Sequence, residues 1–360
     1  MPPLRQHLAR MLEPVIAQGL ERRSPELQAE SGIWALLAQV HRIGELAECG
    51  WGSGLGCGRR RAQRGDLSLV VAVSVYSRAT DVRPSEESRQ GRRPAAELIG
   101  IKEETMAGLL AGHIAAVTGG GSGIGQGICQ AYAREGARVI VLDANPDGAK
   151  ETVDLVTKAG GEASALRLDV TDRAACQAAA TEIAKSGDIS ILVNNAGINR
   201  RNPITADAAV VAKDWDDILS INLDGMFNVT RAFLDQIRAT RGRIVNIGSI
   251  QSFVHVTWPN SAAYTTSKHG VLGFTRALAA ELGKDGVRVN AIGPGLIETR
   301  INAEARANNP DMVAAVMRHT PLGRAGKPED IAGPAVFLAS DLASYVTGCI
   351  VMADGGFRSI

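Results

Sequence analysis

The sequence predicts an α/β fold, a parallel sheet with helices on both faces, for the part of the 360-residue chain that follows residue 105. Short, nearly continuous apolar runs alternate there with longer stretches of helical periodicity. Such runs are typical of strands that are buried on both faces of a sheet. The chain contains seven of them, so we expect a doubly wound, seven-stranded sheet of the Rossmann type.

The predicted elements follow one another in a regular order. Strands are predicted at HIAAVTG, RVIVLD, ASALRLDV, ISILVNNAG, GRIVNIGS, VRVNAIGPG and CIVMADGG. Helices are expected at about 123–135, 147–159, 172–186, 213–239 and 263–283. The last helix has an apolar stripe that could serve either the core or a contact between subunits.

Residues 1–105 differ from the rest of the chain in composition. The stretches CGWGSGLGCGRRRAQRG and RPSEESRQGRRP have no period and are rich in Gly, Ser, Arg and Pro. We therefore expect a poorly ordered extension without chemistry. Two weak helical patterns precede these stretches, and they leave a docked helical hairpin as the alternative. Met106 begins a sequence that would form a complete protein by itself, so we expect the catalytic domain over 106–360, and part of the extension could be untranslated.

Composition and charge argue against several classes of protein. A net charge of +1 lacks the basic field of a nucleic-acid-binding protein. No apolar run approaches the roughly 18 residues of a membrane-spanning helix. The five cysteines are scattered, which is typical of reduced thiols in the cytoplasm, and the six histidines lack metal-ligand spacing. We expect a cytoplasmic protein with a small-molecule ligand and no metal site.

A glycine-rich turn follows the first predicted strand. The motif TGGGSGIG, residues 118–125, leads from that strand into a helix. Gly119 would allow a tight turn, while Gly123 and Gly125 would let the backbone approach a pyrophosphate and the helix pack on the sheet. The helix N-terminus would supply the anion site. A role confined to the turn is the weaker alternative.

The second predicted strand ends at Asp143, which lies 18 residues after Gly125. An acidic residue about 20 residues beyond such a motif hydrogen-bonds the adenosine ribose hydroxyls. It would also repel a 2′-phosphate, and the glycine motif contains no basic residue, so NAD is predicted over NADP. Turn chemistry alone is the other interpretation of Asp143. Asp169 and Val170, at the end of the third strand, could contact the adenine.

Four further motifs follow in chain order: NNAG at 194–197, NIGS at 246–249, YTTSK at 264–268 and PG at 294–295. With TGGGSGIG, their order and spacing resemble those of the short-chain dehydrogenases/reductases over about 106–360. Around NNAG and near the C-terminus, the sequence is most similar to gluconate 5-dehydrogenases and 2-deoxy-gluconate dehydrogenases. The resemblance implies an oxidoreductase that exchanges a hydride between NAD and a secondary alcohol or ketone of a sugar acid or polyol. It also implies a homotetramer.

The resemblance assigns roles to individual residues. Tyr264 would be the general acid/base, and Lys268 would lower its pKa and bind the nicotinamide ribose. Ser249 would hydrogen-bond the substrate oxygen. Asn222 would hold a water beside the lysine, although a buried and satisfied amide is an equally good interpretation. The remaining cofactor contacts implied are Ser122, Ile124, Asn195, Gly197, Pro294, Ile297 and Thr299.

The substrate pocket is less well defined by the sequence. Arg200 and Arg201 follow the fourth strand, and one of them could pair with a substrate carboxylate. Solvated surface charges are the alternative, and for Arg200 we favour it. His255 and Trp258 lie between Ser249 and Tyr264 and could contact substrate, or Trp258 could pack against a neighbouring loop.

Two other functions are compatible with these residues. A 3-oxoacyl thioester reductase would use the same catalytic groups, although it usually goes with NADP. A catalytically silent family member would need a broken catalytic set, and all four residues are present.

Overall fold

A computed structural model describes residues 108–256, 261–299 and 306–359. The strands described there are β1 (Ile114–Thr118), β2 (Arg138–Asp143), β3 (Ala163–Arg167), β4 (Ile191–Asn194), β5 (Arg243–Ile247), β6 (Arg288–Pro294) and β7 (Ile350–Ala353). They form one seven-stranded sheet in the order β3-β2-β1-β4-β5-β6-β7, and every pairing is parallel. The predicted sheet is confirmed. Its chain order reverses between β1 and β4, where ligands bind in folds of this type.

Helices cover both faces of this sheet. They are α1 (Gly123–Arg134), α2 (Pro146–Lys158), α3 (Arg173–Ala184), α4 (Ala208–Leu219), α5 (Met226–Ala239), α6 (Ala262–Leu282), α7 (Pro310–Arg318) and α8 (Pro328–Ala339). Local sequence sets several of their starts. The Asn145 side chain, for example, accepts hydrogen bonds from the N–H groups of Asp147 and Gly148 in α2, and the Asp172 side chain accepts one from the Ala175 N–H in α3.

Two hydrophobic clusters lie on opposite faces of the sheet. In β2, Val139 and Val141 belong to the cluster beneath α1 and α8, whereas Ile140 and Leu142 belong to the cluster beneath α3, α5 and α6. Successive strand residues point to opposite faces, so a strand that is covered twice needs apolar residues at every position. This explains the unbroken apolar runs of the sequence.

The helix expected over 213–239 is interrupted. Residues Ser220–Gly225 form a π-helical segment between α4 and α5. A Cβ at Gly225 would lie 2.5 Å from the Val170 side chain, so the segment closely approaches the loop that follows β3. Segments of this kind are frequent at functional sites. The long helix predicted over 213–239 is therefore present, with a π-helical segment near its middle that the sequence did not predict.

Some sequence-based expectations concern residues outside the described ranges, namely the extension 1–105 and Trp258. Within those ranges, none of the helices has the length and apolar character needed to cross a bilayer. The same residues contain no group of three or more His, Cys, Asp or Glu side chains that could hold a metal ion.

Candidate active site

A cleft of about 690 Å³ lies at the carboxyl ends of the central strands. Most of the residues predicted for cofactor, catalysis and substrate line it: Gly119, Ser122, Gly123, Ile124, Asp143, Asp169, Val170, Asn195, Gly197, Arg201, Ser249, Tyr264, Lys268, Pro294, Ile297 and Thr299. Gly125, Asn222 and His255 do not line it. The fold therefore gathers residues from all five sequence motifs around one cavity.

The glycine turn leaves the start of α1 open to a ligand. Ser122 is the N-cap residue of α1 in extended backbone conformation, yet its side chain makes no capping hydrogen bond. The first N–H groups of the helix consequently remain available for an anion. Gly123 has a φ of 55°, which favours glycine, and a Cβ there would lie 3.1 Å from the Thr299 side chain. A pyrophosphate fits this cradle, as the motif predicts.

Neighbouring groups hold the turn in place. The Asn195 side chain donates to the carbonyl oxygens of Thr118 at 3.0 Å and Gly119 at 2.9 Å. A Cβ at Gly125 would collide with the Gly119 carbonyl oxygen, so Gly125 allows the helix to pack on the turn. Of the predicted glycine roles, the packing role belongs to Gly125.

Asp143 lies at the end of β2 with both carboxylate oxygens hydrogen-bonded. One accepts from the Gly121 N–H at 2.8 Å, and the other accepts from the Asn145 N–H at 2.9 Å. Each oxygen keeps further lone pairs, which can accept from ribose hydroxyls in the cleft. Asp169 is held similarly, because its carboxylate accepts from the N–H and hydroxyl of Thr171, and these hydrogen bonds lower its pKa.

Ser249 and Tyr264 come together although they lie on different elements. Ser249 follows β5 and its hydroxyl accepts from the Gln251 N–H at 3.1 Å. Tyr264 lies in the first turn of α6. Burial raises the pKa of Tyr264, and a hydrogen bond with Ser249 and the charge of Arg201 oppose that rise. Arg201 is thus a cation near the phenol in addition to Lys268, the one expected from the sequence.

Lys268 is buried one turn further along α6. Its Nζ donates to the Ile247 carbonyl oxygen at 2.8 Å and lies 5.6 Å from the centre of the Tyr264 ring. The YTTSK spacing thus places both side chains on one face of α6, as expected. Burial lowers the pKa of Lys268 to about 8.

Asn222 is hydrogen-bonded both to the loop after β4 and to α6. Its Oδ1 accepts from the Ile198 N–H at 2.8 Å, and its Nδ2 donates at 3.0 Å both to the Ile198 carbonyl oxygen and to the Ser267 hydroxyl. Ser267 in turn donates to the Tyr264 carbonyl oxygen at 2.8 Å. The satisfied-amide interpretation therefore describes its contacts, and Asn222 joins the loop after β4 to the helix that carries Tyr264.

The two adjacent arginines have different partners. Arg200 forms ion pairs with Asp214 at 3.2 Å and Asp217 at 2.6 Å, both on α4. Arg201 instead has its guanidinium 4.0 Å from the Met312 sulfur of α7, at the cleft. Both arginines line the cleft, but Arg200 is already paired with two carboxylates of α4, whereas Arg201 forms no ion pair with a described residue.

Several cleft residues were not predicted from the sequence, Gln251 among them, and one predicted substrate residue, His255, lies outside the cleft. Gln251 is buried and lines the cleft two residues after Ser249, a position that no motif includes. His255 is exposed and outside the cleft, and its Nδ1 lies 2.8 Å from the Thr265 hydroxyl. Direct contact between His255 and a substrate in this cavity is therefore not supported.

Comparisons with known proteins agree with the resemblance that the motifs indicate. Residues 119–358 match a family model described as enoyl-(acyl carrier protein) reductase. Galactitol 2-dehydrogenase (L-tagatose-forming) of Cereibacter sphaeroides is 42% identical over 252 residues, 69% of this chain and 96% of that protein. A 3-oxoacyl-(acyl-carrier-protein) reductase of Thermotoga maritima is 37% identical over 69% of this chain and 98% of its own.

A solved structure gives the same picture. It comes from Beutenbergia cavernae and is described as a candidate NAD(P)-dependent gluconate 5-dehydrogenase with NADP bound at low occupancy. It is 43% identical and covers 70% of this chain and 98% of its own, with a TM-score of 0.65. At this identity and coverage the neighbour supports both the fold and the presence of a nicotinamide-cofactor site.

Proposed function

The chain belongs to the short-chain dehydrogenase/reductase family, and from this premise we propose that it oxidises the CH–OH group of a sugar acid or polyol, or reduces the corresponding ketone. The observation that carries the proposal is the convergence of Ser249, Tyr264 and Lys268 on a cleft that Arg201 also lines. The relatives named above include a galactitol dehydrogenase and a candidate gluconate dehydrogenase.

Ser249 and Tyr264 would carry out the proton transfer. Ser249 would donate a hydrogen bond to the reacting substrate oxygen, and Tyr264 would accept the proton of the alcohol or return it to the ketone. A bound nicotinamide ring would accept or supply the hydride. Because Arg201 favours the ionised phenol, it would assist proton removal.

Lys268 and Asn222 would hold Ser249 and Tyr264 in their relative positions. The hydrogen bond from Lys268 to Ile247 ties α6 to the end of β5, where Ser249 follows. Asn222 ties the same helix to the loop after β4. With a pKa of about 8, Lys268 can also exchange a proton near physiological pH.

NAD is the proposed cofactor, and Asp143 supports the choice. Its carboxylate, held by Gly121 and Asn145, would bind the two ribose hydroxyls and repel a 2′-phosphate. Because the related Beutenbergia cavernae structure contains NADP, activity with NAD and with NADP should be compared directly. We expect kcat/KM to be higher with NAD, and Asp143→Ala to narrow the gap. Equal or better use of NADP by the unmodified protein would overturn this choice.

Arg201 supports a sugar acid as substrate, because its guanidinium lines the cleft without an ion pair to any described residue and can therefore pair with a carboxylate. Purified protein should be screened with both cofactors against gluconate, galactitol and a 3-oxoacyl thioester.

Arg201→Leu should raise KM for gluconate by at least about tenfold and change KM for neutral galactitol little. Arg238→Leu is the matched control, because Arg238 lies outside the cleft, where it pairs with Asp285 at 2.7 Å, and its loss should leave both KM values as in wild type.

A 3-oxoacyl thioester reductase is the second candidate, and the 37% identity to such an enzyme favours it. Strong NADPH-dependent reduction of the thioester, with no oxidation of gluconate or galactitol, would establish it. A catalytically silent protein is the third interpretation, and absence of turnover with all three compounds despite NADH binding would support it.

Assembly and location are also proposed. Exposed apolar side chains lie on α5, where Phe227 contacts Phe274 of α6, and near β7, where Leu342 and Tyr345 are exposed. These two surfaces fit a homotetramer, which light scattering would test. The buried thiols of Cys129 and Cys176 fit a cytoplasmic protein.

A further inference from the structure

Gln251 presents a polar group to the cleft that the catalytic set does not use. It lies on the short turn Ile250–Ser252 that follows Ser249, and it is only 6% exposed. Its backbone N–H donates to the Ser249 hydroxyl at 3.1 Å. The side chain therefore starts beside the Ser249 hydroxyl, which would hydrogen-bond the reacting substrate oxygen.

The orientation of the Gln251 amide follows from its partner on α6. The Thr265 hydroxyl donates to Gln251 Oε1 at 2.7 Å. A hydroxyl has one proton, so Thr265 accepts from His255 Nδ1, which lies 2.8 Å away. The carbonyl end of Gln251 is thus held by Thr265, the residue that follows Tyr264 on α6.

The NH₂ end of Gln251 is left for the cleft. Within the ranges that the structure describes, no protein group accepts a hydrogen bond from Gln251 Nε2. A donor in a largely buried position needs an acceptor from the ligand or from water. A substrate with an apolar group at this place would leave it unpaired.

We propose that Gln251 determines specificity by donating a hydrogen bond to an oxygen on the carbon next to the reacting one. This inference rests on the proposed function and narrows it to substrates with vicinal oxygens, as sugar acids and polyols have. Thr265 and His255 are positioning residues that keep the NH₂ end turned to the cleft. Sites built to hydrogen-bond a substrate hydroxyl discriminate strongly against analogues that lack it.

The test compares two small alcohols that differ only in the neighbouring hydroxyl: meso-butane-2,3-diol, which has one carbinol centre of each hand, and racemic butan-2-ol. The wild-type protein should oxidise the diol with kcat/KM at least about tenfold higher. Gln251→Leu should bring this ratio close to one by slowing the diol and not the monoalcohol. It should also reduce kcat/KM for galactitol or gluconate by at least about tenfold, with unchanged NADH binding.

Two further variants separate specificity from stability. Thr265→Val should lower the diol preference in part, whereas Thr265→Ser should preserve it. Gln236→Leu removes another amide, one that donates to the Ala180 carbonyl oxygen at 2.9 Å outside the cleft. That control should change the melting temperature and leave the ratio as in wild type.

The outcomes for the inference and for the proposed function differ. An unchanged diol preference and unchanged galactitol or gluconate kinetics in Gln251→Leu overturn the inference and leave the dehydrogenase function intact. A wild-type protein that oxidises both alcohols equally well also overturns the inference and leaves the dehydrogenase function intact. A wild-type protein that oxidises no alcohol refutes the proposed function and this inference with it.

Discussion

Replacement of Lys268 by methionine should stabilise the folded protein at neutral pH while it abolishes turnover. Burial lowers the pKa of this lysine from its ordinary 10.5 to about 8. At about 1.4 kcal/mol per unit, the buried charge costs the folded state about 3 kcal/mol. Loss of the hydrogen bond to Ile247 would cost about 1 kcal/mol. Lys268→Met should therefore raise the free energy of unfolding by about 2 kcal/mol at pH 7.

The pH dependence of this gain has a defined sign. The unfolded chain keeps the lysine proton up to about pH 10.5, while the folded protein releases it near pH 8. The wild-type penalty is complete below pH 8 and disappears as the pH rises through this window. The advantage of Lys268→Met should shrink over the same range.

Urea unfolding followed by circular dichroism, at several pH values from 7 to about 10.5, measures this difference. Lys158→Met provides the matched control, because Lys158 is exposed on α2, and its effect should stay within about 0.5 kcal/mol. A Lys268→Met variant that is no more stable than wild type at pH 7, or whose advantage is the same at every pH, would refute the reasoning.

Three other predictions can be checked with the same preparations. Tyr264→Phe keeps the ring and removes the exchangeable proton, so turnover should fall at least about a hundredfold while NADH binding, measured by fluorescence, persists; substantial activity would assign the proton transfer to another group. Gly123→Ala should weaken NADH binding at least about tenfold, because its φ is 55° and the new Cβ would crowd Thr299. Gly333→Ala, in open space on α8, is its control and should be neutral or stabilising. A chain that starts at Met106 should fold, bind NADH and turn over as the full chain does; loss of activity would favour a docked N-terminal hairpin.

Periodicity predicted the elements well where one physical requirement dominates. The four apolar residues Val139–Leu142 of β2 are covered alternately from one face and the other, so this apolar run indicates a strand with helices on both sides. The YTTSK spacing likewise needs only helix geometry to bring Tyr264 and Lys268 to one face.

Features that depend on tertiary partners could not be predicted in this way. Arg200 and Arg201 are chemically identical neighbours that both line the cleft, and only the position of Asp214 and Asp217 on α4 decides which of them is neutralised by an ion pair. Gln251 belongs to no motif, and its importance rests on contacts with Ser249 and Thr265 that the fold creates.

The π-helical segment Ser220–Gly225 sets the rotational phase of α5 relative to α4. Each residue of an α-helix advances by about 100°, so one extra residue in a turn rotates everything that follows by about that angle. Before the segment, Asp214 and Ile218 are buried; after it, Phe233 and Ile237 are. Deletion of one residue there would make a regular helix, but these two buried faces would no longer both point at their partners. One continuous helical stretch thus has two parts whose buried faces are oriented independently, and Asn222 lies in the π-helical segment between them.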